Sequence, residues 1–252
     1  MKYGFRENNR GQVVVITALL VALMLLSTVV YVTAIIKQEP VMQSYEYDLT
    51  RQYQQSLKNT LISALASVSN NGSSQVLDND VTKLNQLFNS HYYQSMFEVS
   101  YSLANVSPYQ NGLWVSQGQQ NHAILSAQVG YNIGEVANSK SSQIADSINV
   151  TSEAFISGSC VSINATAKQT TLTVNVLDDG VLAPATNFVC SYQFGSDWLN
   201  VDNFSLVDTG VGTYKITVPA LVNQSSDPLV VALTVSDVRG IIMRVTSTCT
   251  GL

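Results

Sequence analysis

Residues 122–133 read HAILSAQVGYNI, and their alternation decides the fold of the middle of the chain. Ala123, Leu125, Ala127, Val129, Tyr131 and Ile133 occupy every second position. Successive side chains of a strand point to opposite faces, so this row predicts a strand with one buried and one solvated face. Phe97, Val99, Tyr101 and Leu103 alternate in the same way upstream. Ile148, Val150 and Ala154 to Ile156 suggest a further strand downstream. Pro108-Tyr109-Gln110-Asn111-Gly112 carries the turn chemistry that separates such runs.

Before this β-rich stretch the period is helical. Met42, Tyr45, Leu49, Tyr53, Leu57, Leu61, Leu65 and Val68 recur at spacings of three or four, the stripe of an amphipathic helix. Asn70-Asn71-Gly72 supplies its stop, because Asn and Gly tolerate a left-handed cap. A second helix is predicted from Asp80 to His91, with Asp78 or Asp80 capping its start. A helix laid against an antiparallel sheet is expected over residues 38–158, the amphipathic stalk helix packing on the strands. From Val161 onward the helical period vanishes. Seven strands are predicted there, at 161–166, 170–177, 186–194, 204–208, 213–218, 229–237 and 241–249. That count over residues 159–252 suits an all-β, immunoglobulin-like sandwich.

At the other end, Val13 to Ile36 is an apolar run of 24 residues without charge, Gly or Pro. As a helix it would reach about 36 Å, against a hydrocarbon core of about 30 Å. The reading is therefore α+β: a basic segment over 1–11, a transmembrane or filament-core helix over 12–37, the helix-plus-sheet domain, then the sandwich. Pro40 should kink or interrupt the helix between its apolar and amphipathic parts. Residues 1–11 carry a net +2, and by difference from −5 the rest carries −7. The positive-inside rule then predicts a single-pass protein with a cytoplasmic N-terminus and its bulk outside the cell membrane.

The segment Arg10-Gly11-Gln12-Val13-Val14-Val15 places a basic residue, a glycine and a glutamine directly before the apolar run. It resembles the class III signal of archaeal type IV pilins and archaellins. That resemblance implies cleavage after Gly11 by a prepilin-type peptidase, a mature chain starting at Gln12, and packing with other pilin-like subunits in a surface filament. The fifth mature residue would be Ile16, where many bacterial pilins carry Glu. The 241 residues left after the cut are many for a major pilin and suit a minor or tip subunit. The alternative is an uncleaved, membrane-anchored ectodomain that binds a ligand or an envelope partner. In the C-terminal third, the stretches from Val176 to Ala185 and from Asp208 to Thr217 resemble bacterial-type Ig-like and carboxypeptidase-regulatory-like surface modules. This second resemblance concerns architecture and brings no catalytic residues.

Composition narrows the function. Only 12% of residues are charged, while 87 are Ser, Thr, Asn or Gln. A nucleic-acid binder would need a basic stripe, and none is present. Sequons place candidate glycosylation sites at Asn71, Asn105, Asn149, Asn164, Asn203 and Asn223. Of Cys160, Cys190 and Cys249, the pair Cys190–Cys249 is favoured because both fall on the inferred core face; Cys160–Cys249 is the other choice. His91 reads as packing and His122 as a solvated turn residue. Asp78/Asp80 and Asp178/Asp179 read as caps and turns rather than calcium ligands. With no Gly-x-Ser-x-Gly, phosphate loop or His-Glu-x-x-His, the chain is read as non-enzymatic, without metal or cofactor.

Overall fold

The structure, a computed structural model, describes residues 9–91, 97–135, 143–224 and 227–249. Within these, the side chains of 9–17, 34–47, 97 and 135 are outside the described set. The chain divides into two compact units, Met1–Gln52 and Tyr53–Leu252.

In the first unit the backbone belongs to α1 (Asn9–Ser69), which continues through Pro40. The expected transmembrane helix is corrected here: among the described residues, no helix is long and apolar enough to cross a membrane.

The second unit is mostly antiparallel β-structure. Its helical part is the end of α1 and α2 (Val76–His91). Tyr53, Leu57, Leu61, Ala64 and Leu65 are buried at helical spacing. The helix stops at Asn70–Gly72: Asn71 has φ 65°, and the Gly72 N–H donates to the Ser67 carbonyl at 2.8 Å. On α2, Leu77 and Val81 are buried beside Asn85, whose Oδ1 accepts from the Tyr53 hydroxyl at 2.6 Å. The Tyr53 ring meets Phe88 and Tyr131 edge-on, and burial holds its phenol well above its ordinary pKa.

The strands are β1 (Phe97–Leu103), β2 (Leu113–Ser116), β3 (His122–Glu135), β4 (Gln143–Asn164), β5 (Ala167–Asp178), β6 (Val181–Leu182), β7 (Ala185–Phe194), β8 (Asp197–Val201), β9 (Ser205–Gly210), β10 (Thr213–Leu221), β11 (Leu229–Asp237) and β12 (Ile242–Cys249). They form two sheets. The larger runs β1-β3-β4-β5-β10-β9, with β2 beside β3 and β6 beside β5; the smaller runs β12-β11-β7-β8.

This arrangement corrects the expected pair of β-containing domains. β4 is 22 residues long and passes without a break through residues 158 and 159, where the sequence predicts a boundary. Its first part pairs with β3 and its second with β5. Gly158, at the expected boundary, sits inside the strand: a Cβ there would come within 2.6 Å of Leu172 Cδ2. Buried residues of helices and both sheets form one hydrophobic cluster rather than two.

The disulfide is a second correction. Cys160 on β4 is bonded to Cys249 on β12, and Cys190 is free and buried. Cys190 pairs in register with Leu233, and Cys249 with Leu229, so both face inward but from strands on opposite sides of β11. Burial pushes the Cys190 thiol up to about 12.

Thiol titration of the denatured, unreduced protein should count one thiol, lost in Cys190→Ser. The bond closes a sequence separation of 89 residues, for which chain entropy predicts about 4–5 kcal/mol of stabilisation. Cys160→Ser should lower stability in denaturant by up to that amount. A count of three thiols would refute the bond.

Candidate functional site

Two features stand out for function, one in each unit. In the first, Leu19, Leu20, Val21, Leu23–Leu26 and Val29–Val32 are between 51% and 71% exposed. Consecutive residues of a helix lie 100° apart, so a run such as Leu23–Leu26 is apolar on every face. The small hydroxyls of this stretch bond within the helix. Ser27 donates to the Met24 carbonyl at 2.9 Å, Thr28 to Leu25 at 2.8 Å and Thr33 to Val29 at 2.8 Å. Such a surface gains nothing from water. Burying each large side chain is worth about 1.5–3 kcal/mol when complete, and somewhat less from partial exposure. A single partner helix covers one stripe, so covering all faces takes several neighbours.

In the second unit Arg239 gathers three carboxylates. Its Nη2 lies 2.7 Å from Asp178 Oδ1, its Nε 3.0 Å from Asp237 Oδ2, and its Nη1 3.7 Å from Asp179 Oδ1. Nη2 also donates to the Thr151 carbonyl at 2.9 Å and to Ser152 Oγ at 2.6 Å. Ser152 Oγ in turn donates to Asp237 Oδ2 at 2.8 Å. Asp237, fully buried, accepts the N–H groups of Arg239 and Ile241 in the turn after β11. Lys58 of α1 reaches Asp179 at 3.1 Å. The cluster thus joins the helix, the larger sheet through β4 and β5, and the smaller sheet through β11.

Its electrostatics are uneven. Asp178 is raised from 3.8 to about 6, first by burial and then by the Asp237 carboxylate, against the pull of Arg239. Asp179 is lowered: burial opposes ionisation, but the Thr151 N–H, Lys58 and Arg239 outweigh it. Sequence shows the Asp178-Asp179-Gly180 turn, but Arg239 stands about sixty residues away, and sequence reasoning missed it.

The remaining candidates are dispersed. Arg10, Gly11 and Gln12 lie in the opening turns of α1, their side chains outside the described residues. All six sequon asparagines are exposed. Asn149 is tied down, its Oδ1 accepting from Ser126 Oγ at 2.8 Å, whereas Asn164 bonds only within its own hairpin, to Thr166. His91 closes α2. His122 differs from expectation: it begins β3, stacks on Phe155 at 4.0 Å and lies 3.2 Å from Glu153. Asp78 accepts from the Tyr101 hydroxyl at 2.7 Å, and Asp80 pairs with Lys83 at 3.3 Å. No protein-family model and no curated protein matches this sequence.

Arg239→Ala leaves the buried Asp237 beside two further carboxylates and should cost about 3–5 kcal/mol in chemical denaturation. The pH dependence follows from the raised Asp178. A carboxyl whose folded pKa exceeds its unfolded value contributes stability below the unfolded value and loses it as pH rises through the folded one. Stability from Asp178 is therefore full near pH 3.8 and lost on passing about 6. Asp179 works in the opposite sense, its contribution disappearing only below its ordinary range. Calorimetry at pH 7 and at pH 4.5 should show wild type gaining stability on acidification relative to Asp178→Asn. Equal shifts in the two proteins would rule out the assignment.

Proposed function

We propose that this protein is a non-enzymatic, exported cell-surface subunit of archaeal type IV pilin-like kind, assembling with further subunits through its N-terminal helix. The carrying observation is the all-round exposure of apolar side chains over residues 18–33. A contiguous apolar surface of this extent marks an interaction site, and here its natural occupants are equivalent helices of other subunits. The stretch from 18 to 33 is uncharged, so copies meet there without repulsion, and the bonds of Ser27, Thr28 and Thr33 to the helix backbone lower the cost of burying their hydroxyls. Covering every face calls for a bundle of several helices, as in a filament, rather than a two-fold dimer.

Three further features support the surface assignment. Arg10-Gly11-Gln12 stands directly before the helix in the manner of a class III signal, which makes a prepilin-type peptidase the processing partner. The Cys160–Cys249 disulfide suits an oxidising exterior. The exposed sequons are placed where glycans could be attached. The length fits a minor or tip subunit, with residues 53–252 as the displayed body and adhesion or surface structure as its role.

N-terminal sequencing of the protein recovered from its native cells should begin at Gln12; a start at Met1 would remove the processing step. Leu23→Asp with Val30→Asp should abolish incorporation into sedimentable filaments while the thermal melt of the body is unchanged. Wild-type sedimentation of that double variant would sink the assembly reading.

A further inference from the structure

An open hollow of about 370 Å³ lies beside β2, lined among others by Trp114, Gln110, Asn111, Ser74, Pro108 and Val115. Among the described residues no charged side chain lines it. Its volume falls at the lower end for small-ligand sites, enough for one or two sugar rings.

The hollow is built rigidly. Trp114 pairs with Ser126 in the β2–β3 ladder and is half-buried. The Tyr109 ring meets it edge-on at 6.1 Å, and the Tyr109 hydroxyl is fixed by Ser126 Oγ at 2.9 Å. Gln110 and Asn111 sit on a tight turn closed by two bonds, Gln110 N–H to the Leu113 carbonyl at 2.8 Å and the reverse at 3.0 Å. Asn111 and Gly112 both have positive φ, 51° and 78°, the pattern of a two-residue hairpin turn. The Asn111 N–H is further held by Asn105 Oδ1 at 2.8 Å. Yet the side-chain amides of Gln110 and Asn111, the Ser74 hydroxyl and the Trp114 indole N–H have no protein partner among the described residues. A held aromatic ring thus shares the hollow with solvent-exposed donors and acceptors that no protein group among the described residues engages.

We propose that this hollow is a binding site for a neutral carbohydrate, with a pyranose ring laid on Trp114 and its hydroxyls held by Gln110, Asn111 and Ser74. Each primary amide offers two donors and an acceptor, which suits vicinal hydroxyls that both give and accept. The C–H face of the sugar suits an indole surface. The uncharged lining disfavours phosphorylated or sulfated ligands, since a charge there would be desolvated without a partner. The ligand class deepens the adhesion reading of the surface subunit, but binding is measurable whether or not the chain assembles.

The chain has two tryptophans, so Trp198→Phe leaves Trp114 as the reporter of the full-length protein. Titration with glucose, galactose, mannose, N-acetylglucosamine and their disaccharides should give a saturable emission change for at least one, half-complete near about 1 mM. Gln110→Ala with Asn111→Gly, the latter keeping the left-handed turn, should weaken it threefold or more. Failure of every saccharide up to about 100 mM would overturn the site. A weakening of less than threefold, or saturation by a proline-rich peptide and by no sugar, would do the same.

Discussion

Strands β1, β3, β4, β5 and β10 all turn an apolar row to the same side, from Val99 and Tyr131 through Val150 and Val174 to Ile216. That side has to be kept from water across the whole sheet, and no one element is wide enough. The end of α1 with α2 covers one part; β12, β11 and β7 cover the rest. The seam between the coverings is where polar backbone would otherwise be stranded. It is closed by specific bonds: the Ile242 N–H to Ser69 Oγ at 2.9 Å, and the Arg239 cluster that reaches Lys58, Ser152, Asp178 and Asp237. A buried ion cluster of this kind contributes little net stability against apolar packing. Its value lies in direction, since a guanidinium fork with three carboxylates fits one arrangement of the coverings.

Edges are handled unequally. The β2–β3 connection lies along β12, with Gly118 N–H donating to the Arg244 carbonyl at 2.7 Å and Asn121 N–H to Thr246 at 2.6 Å. That edge of the smaller sheet is therefore occupied. At the far ends, β8 and β9 have no further strand beside them among the described residues and carry Trp198, Leu206 and Val207 partly exposed. Both strands are short, which limits edge-to-edge pairing.

Much of the local structure was legible in the sequence. The alternating rows around Ala123–Ile133, Leu172–Val176 and Leu229–Val235 are strands with the predicted inward faces, and the stripe from Tyr53 to Leu65 is a buried helix face. What alternation could not show is which strands share a sheet. The expected boundary at 158/159 fell inside β4, because the residues on either side of it alternate too weakly to show that one strand continues there. β2 and β8 were missed because four or five residues carry too little periodicity. The disulfide and the Arg239 cluster depend on strands lying across one another, and separation along the chain holds no trace of that. At the N-terminus, the length of the apolar run suggested a bilayer span that the described helix does not provide.

The bond from Ser69 to Ile242 joins residues 173 positions apart. β12, the last strand described, is therefore needed to cover β4, to meet the helix end and to receive the β2–β3 connection. Contacts so distant along the chain form slowly, because loop closure must precede them. During synthesis α1 and α2 precede the larger sheet, but β12, which covers β4, follows it. Until β12 is in place that part of the sheet keeps an apolar face open to water, a state in which sticking to other chains competes with folding.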